Sequence, residues 1–224
     1  EAQASLNRLA LAKQNFQWVL DWTKKVPIQS ELVAAQAMLG LADLHETLGQ
    51  DKRALRLRQQ VLKAREQLFG PQHIKTRLTR IGVADSLLEL GQPARALAIY
   101  EQERVPIEKE LGTNTPVGVL PLERQAEALL RLGRAPEALP LLEHVIQVVD
   151  AHAVRPAYKA AVQFTLANAL WAVDQQPERA LRLALAARAT YAHAHYTHAL
   201  MKVDAVLKQR GSDVITPQTM NSRH

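Results

Sequence analysis

Three histidines crowd the segment HAHYTH: His193, His195 and His198. Imidazoles bind zinc when three or four ligands converge on one point. On one helix His195 and His198 stand three apart and share a face, but His193 points elsewhere. No acidic residue in the segment completes a set, so the expectation is surface histidines near a hairpin end and no metal. His45 lies two residues from Asp43, yet no serine or threonine stands at a triad-like position. No nucleophile–base–orienter set is legible, and the chain reads as non-catalytic. Trp18, Trp22 and Trp171 could stack on a ligand, but apolar neighbours at helical spacing place them in the core. The sequence has no cysteine, hence no thiol nucleophile, and nothing in it implies a cofactor.

The formal net charge is +6 and the sequence pI about 9.7. Such a balance suits nucleic acid or an anionic membrane surface. Much of the excess sits in residues 51–80, with nine Lys or Arg against Asp51 and Glu66. No aromatics interleave with those cations, as a single-strand binder would need. The segment reads as a solvated helix face and loop, and no nucleic acid is expected. No run of about 18 apolar residues crosses a membrane, and no cleavable leader is present. The chain opens on Glu1 without an initiator Met, which points to a fragment of something longer.

The elements that would hold these residues follow from a repeat. GQDKRAL at 49–55 returns as GQPARAL at 91–97, GRAPEAL at 133–139 and QQPERAL at 175–181, each 42 residues after the last. In the unit 30–71, Leu32, Val33, Met38, Leu41, Leu44 and Leu48 recur near helical period, and Gly49 ends the pattern. Leu55, Leu57, Val61, Leu62 and Leu68 form a second helix, ended by Gly70-Pro71. Ala54, Ala96, Ala138 and Ala180 let the two helices approach, and Leu55, Leu97, Leu139 and Leu181 fill the core. Hydrophobic residues make up 47% of the chain but aromatics only 4%, so Ala and Leu do the packing, which favours close helices over strands. Such a hairpin cannot bury its apolar face alone; stacked hairpins can. The expected fold is all-α, a right-handed solenoid with repeats at about 30–71, 72–113, 114–155 and 156–197. A leading helix spans 1–26, the remnant of an earlier hairpin, and a capping helix 198–210. These form one domain, 1–210, with a disordered tail at 211–224.

The glycine followed five residues later by Ala-Leu resembles the tetratricopeptide repeat in its 42-residue form. The linker LFGPQH at 68–73 is similar to that of kinesin-light-chain-type repeats. LANALWAVDQQPERALRLALAARATY at 166–191, followed by VDAVLKQR, resembles the closing repeat in the tails of bacterial serine/threonine protein kinases. The chain has no Gly-rich loop, HRD or DFG, so a catalytic domain would lie outside it. The resemblance implies a protein–protein interaction or sensor module that binds a peptide in a concave groove lined by the first helix of each pair. The expected parent is a bacterial serine/threonine kinase whose regulatory tail this is or, alternatively, a transcriptional regulator whose effector-binding domain it is. If the kinase is transmembrane, the module is expected outside the cytoplasm, and otherwise in the cytoplasm. By the family register the groove positions are Gln36, Leu39, Asp43 and Glu46, then Leu78, Ile81, Asp85, Leu88 and Glu89. Repeat three adds Glu123, Glu127, Leu130 and Arg131, and repeat four Val162, Thr165, Ala169, Ala172 and Val173.

Asp43, Asp85 and Glu127 stand 42 apart and form an expected acidic stripe, so the implied ligand carries basic and apolar residues. The Lys, Arg and Asn of a carboxylate clamp are not at these positions. The tail has such a composition in Val214, Ile215, Met220 and Arg223, which makes it a candidate occupant. Three departures from the pattern carry expectations. Gln175 replaces a glycine, so its turn must close differently. Pro106 is expected to bend or break a helix near Val105. Pro121 implies a helix starting near Leu120 after an irregular loop at 113–119.

Overall fold

The computed structural model describes residues 2–23 and 30–210. Among them are ten helices and no strand. The chain divides between Gly112 and Thr113 into two compact units, inside the span expected as one domain. The first holds α1 (Ala2–Thr23), α2 (Ser30–Thr47), α3 (Asp51–Phe69), α4 (Ile74–Glu89) and α5 (Pro93–Leu111). The second holds α6 (Leu120–Arg131), α7 (Ala135–Ala151), α8 (Pro156–Ala172), α9 (Pro177–His193) and α10 (Thr197–Gln209). Within each unit every helix packs on its neighbours in sequence, and α6 also meets α8. This is the packing of an α-solenoid. The tail at 211–224 lies outside the described residues, and so does the side chain of Trp22.

The repeated residues explain the hairpins. Ala54, Ala96, Ala138 and Ala180 are each 0% exposed, at the point where two helices diverge from their turn. The leucines that follow behave less uniformly. Leu97 is buried, whereas Leu55, Leu139 and Leu181 are half-buried rather than core. Gly49, Gly91 and Gly133 take φ of 67°, 72° and 74°, the left-handed conformation that closes a helix at little cost for glycine. Where Gln175 replaces the glycine, the turn shifts by one residue. Asp174 takes φ 52° and Gln176 φ 46°, while the Gln175 N–H donates to Leu170 O at 2.9 Å. Aspartate tolerates this region because its short side chain bonds locally.

The prolines act mostly at helix starts. Pro93, Pro121, Pro136, Pro156 and Pro177 fall in first turns, where the missing N–H has no intrahelical partner. Helix α6 begins at Leu120, after turns and bends over 113–119. Pro106 does not break its helix: α5 runs through it to Leu111. The lost bond falls at Gln102, four residues earlier, whose side is exposed, so water can satisfy the freed carbonyl. Trp18 is also not core but 67% exposed. Phe16 supplies the contact to α2, against Gly40, and a residue two positions on points about 200° away around the helix. Trp171 is half-buried, with the Arg210 guanidinium 5.6 Å from its ring centroid.

Candidate functional site

In the first unit the acidic positions are organised by one arginine. Arg58, on α3 and 5% exposed, reaches α2 and α4 together. It donates to Glu46 Oε1 and Oε2 at 2.8 and 2.9 Å, to Asp43 Oδ1 at 2.8 Å and to Ser86 Oγ at 2.7 Å. Burial alone would lower its pKa, but the hydrogen bonds and charges of Glu46, Asp43 and Asp85 raise it above the usual guanidinium range. Asp85 itself accepts from Tyr100 Oη at 2.8 Å. Asp43 and Asp85 are therefore held by partners within this unit, although one guanidinium faces three carboxylates and the cluster keeps a negative balance. Ile81 and Leu88, expected to line a groove, are 1% and 2% exposed and belong to the core. Gln36 and Glu89 are exposed, and Leu39 and Leu78 half-buried.

The basic stretch 51–80 is likewise only partly a solvated face. Arg77 and Arg80 both pair with Glu103, which is 0% exposed, and Arg80 also with Glu66 at 3.2 Å. Arg65 donates to Thr79 Oγ1 at 2.6 Å and to Lys75 O at 3.1 Å. Lys52, Arg53, Arg56, Lys63 and Lys75 remain exposed.

In the second unit the expected residues converge. A cleft of about 420 Å³ is walled by Glu123, Arg124, Glu127, Leu130 and Arg131 of α6. Ala161, Phe164, Thr165 and Asn168 of α8, Tyr191 of α9 and His198, Ala199 and Lys202 of α10 complete it. Among the expected positions, Glu123, Glu127, Leu130, Arg131 and Thr165 all line this cleft, while Val162 and Ala169 are buried and do not line it. The α6 charges form a ladder. Arg124 lies 3.4 Å from Glu123 and 3.3 Å from Glu127, and Arg131 lies 2.8 Å from Glu127. Thr165 Oγ1 donates to Ala161 O at 3.0 Å, which leaves its oxygen free to accept.

Glu123 is the buried charge of this cleft, 2% exposed, at the register of Leu39 and Ile81. Two phenols respond to it. Burial, then the Glu123 charge, pushes Tyr158 up to about 12, with Arg124 acting in opposition. Tyr191 is pushed up to about 12 by burial and by Glu123.

Sequence reasoning missed Arg124, Phe164, Asn168, Tyr191, His198 and Lys202. One signal was available. Asn168 occupies the register of Ala42, Ala84 and Ala126, each 0% exposed, so a polar side chain stands where the repeat demands a small one. Tyr191 and Lys202 lie outside the first helices and carried no such mark. His195 sits in the turn before α10 with φ 57°, so it shares no helix face with His198. Among the described residues no three His, Cys, Asp or Glu side chains gather to hold a metal. Nor is any described helix long and apolar enough to cross a membrane.

Residues 33–103 match the family model for the tetratricopeptide repeat. No curated protein matches the sequence. Solved structures share the fold. A Q17M form of a putative kinesin light chain from Podosopora anserina, with nearly identical TPR-like repeats, is 22% identical, with TM-score 0.60 over 86% of this chain and 91% of that one. A second structure described by the same name is 24% identical, with TM-score 0.58 over 85% and 90%. BtubC (BKLC) from P. vanneervenii is 13% identical, with TM-score 0.65 over 86% and 77%.

Proposed function

From the tetratricopeptide repeats that the chain carries, we propose a protein-interaction module whose second unit receives a peptide segment of a partner in the cleft between α6, α8 and α10. The repeats indicate protein–protein interaction, and the cleft is the observation that carries the site. It joins apolar walls, Leu130 and Phe164, to a few polar groups, Thr165 and Asn168, which is the composition of a recognition site.

For the parent protein, we favour the regulatory tail of a bacterial serine/threonine kinase, on the strength of the closing-repeat motif at 166–191. If that kinase spans a membrane, the module senses partners outside the cytoplasm. An effector-binding domain of a transcriptional regulator is the second reading. The sequence preceding Glu1 in the gene separates them: a kinase domain and an apolar span, against a DNA-binding domain. The site itself is tested by placing a photo-crosslinking amino acid at Thr165 and, as control, at exposed Lys63. A partner that crosslinks from Lys63 and not from Thr165 would remove the cleft from this reading.

A further inference from the structure

The charge balance of the same cleft specifies its ligand. On α6 two carboxylates, Glu123 and Glu127, meet two guanidiniums, Arg124 and Arg131, within 3.4 Å. These four cancel. Lys202 of α10 faces the cleft, is exposed, and has no ion-pair partner among the described residues. The acidic side chain two residues on, Asp204, is held by Arg188 of α9 at 2.6 Å and does not compensate it. His198 joins Lys202 on the same wall. The cleft is thus left with positive charge contributed by the capping helix, not by the first helices of the repeats. This reverses the basic ligand that an acidic stripe would select.

Beside that charge the wall of α8 offers hydrogen bonding and an apolar shelf. Asn168 presents both an amide donor and an acceptor. Its side chain has no hydrogen-bond partner among the described residues, and it replaces the buried alanine of three earlier repeats. Thr165 can accept while donating to Ala161 O, and Phe164 and Leu130 are the apolar surface.

We infer that the partner segment is an extended acidic–apolar peptide. An Asp or Glu side chain meets Lys202, the peptide backbone bonds Asn168 and Thr165, and a neighbouring apolar side chain covers Phe164. This rests on the cleft being a peptide site, and the test separates the two claims. Random peptides displayed on phage are selected on the whole chain and, in parallel, on Lys202→Glu and on a cleft-blocking Thr165→Arg variant. Thermal melts of the three proteins confirm folding. The expected result is enrichment of Asp or Glu beside an apolar residue on the unmodified chain. That enrichment is lost on Lys202→Glu, and a synthetic peptide of the selected sequence binds roughly tenfold more weakly to it, since reversal removes an attraction and adds a repulsion. Asn or Gln in place of the selected acid should weaken binding by about threefold to fivefold. Peptides without acidic excess that still require an open Thr165 site would overturn the charge assignment while leaving the peptide site standing. Failure to enrich any peptide, or enrichment indifferent to Thr165→Arg, would remove the site and this inference with it.

Discussion

Replacing Arg58 by Met keeps a stem of similar length and deletes the guanidinium. Four hydrogen bonds go with it, to both oxygens of Glu46, to Asp43 and to Ser86. The three partners are stranded unequally. The Asp43 side chain is 70% exposed, so water takes over and the loss is about 0–1 kcal/mol. The Glu46 side chain is 26% exposed, and breaking a buried pair from one side costs ~3–5 kcal/mol; partial exposure selects the lower end. Ser86 is 0% exposed, but its hydroxyl can turn to a carbonyl of its own helix. The expected total is ~3 kcal/mol, which would lower the urea midpoint by roughly 1–2 M at ordinary m-values. Circular dichroism in a urea series measures this. A double-mutant cycle with Glu46→Gln isolates the pair and should return a coupling of ~2 kcal/mol. Coupling below ~0.5 kcal/mol would show that Arg58 and Glu46 are both solvated and that the network does not join α2 to α3.

Ala96→Leu inserts bulk where a 0% exposed alanine separates two helices, and should cost ~1–3 kcal/mol by overpacking; an unchanged denaturation midpoint would refute the placement. Alkaline titration followed by phenolate absorbance should find Tyr158 and Tyr191 ionising late. Tyr158 and Tyr191 are raised from 10.0 to about 12, so the folded state holds these protons more tightly than the unfolded chain. The stability they contribute is complete below pH 10 and is lost as pH rises towards 12; phenols that all ionise together near 10 would contradict the burial beside Glu123.

The hairpins were legible in the sequence because their cause is local. A glycine every 42 residues needs a left-handed φ, and a small alanine after it needs contact, so Gly49, Gly91 and Gly133 and the four alanines could be placed from the chain alone. The start of α6 at Leu120 followed in the same way from Pro121. What failed depended on partners distant in sequence. Asp43 and Glu46 look like free acids until Arg58, fifteen and twelve residues on, is seen to cross between helices. Trp18 looks apolar and buried until α1 is seen to pack through Phe16. Pro106 implied a bend or a break; the break does not occur because the side of α5 that loses a hydrogen bond faces water, so continuing the helix is cheap. Five of the thirteen residues lining the cleft were readable as first-helix register positions. Lys202 and His198 were not, because the capping helix belongs to no repeat and has no register to compare.

The repeat also supplies a way to separate structural exceptions from functional ones. At position 103 an acid stands where Val61, Val145 and Ala187 are buried. That exception is answered inside the protein by Arg77 and Arg80, so it holds helices together. At position 168 an amide stands where three alanines are buried, and no side-chain hydrogen bond among the described residues answers it. Restoring the register with Asn168→Ala therefore removes nothing the fold uses. Alanine is also the better helix former by ~0.5–0.7 kcal/mol, so the midpoint of unfolding should stay constant or rise slightly, while affinity for a cleft-binding peptide falls by the loss of a hydrogen bond, roughly threefold to tenfold. A destabilisation above ~1 kcal/mol would mean that Asn168 is bonded within the solenoid, and would class it with Glu103 as a residue of the fold.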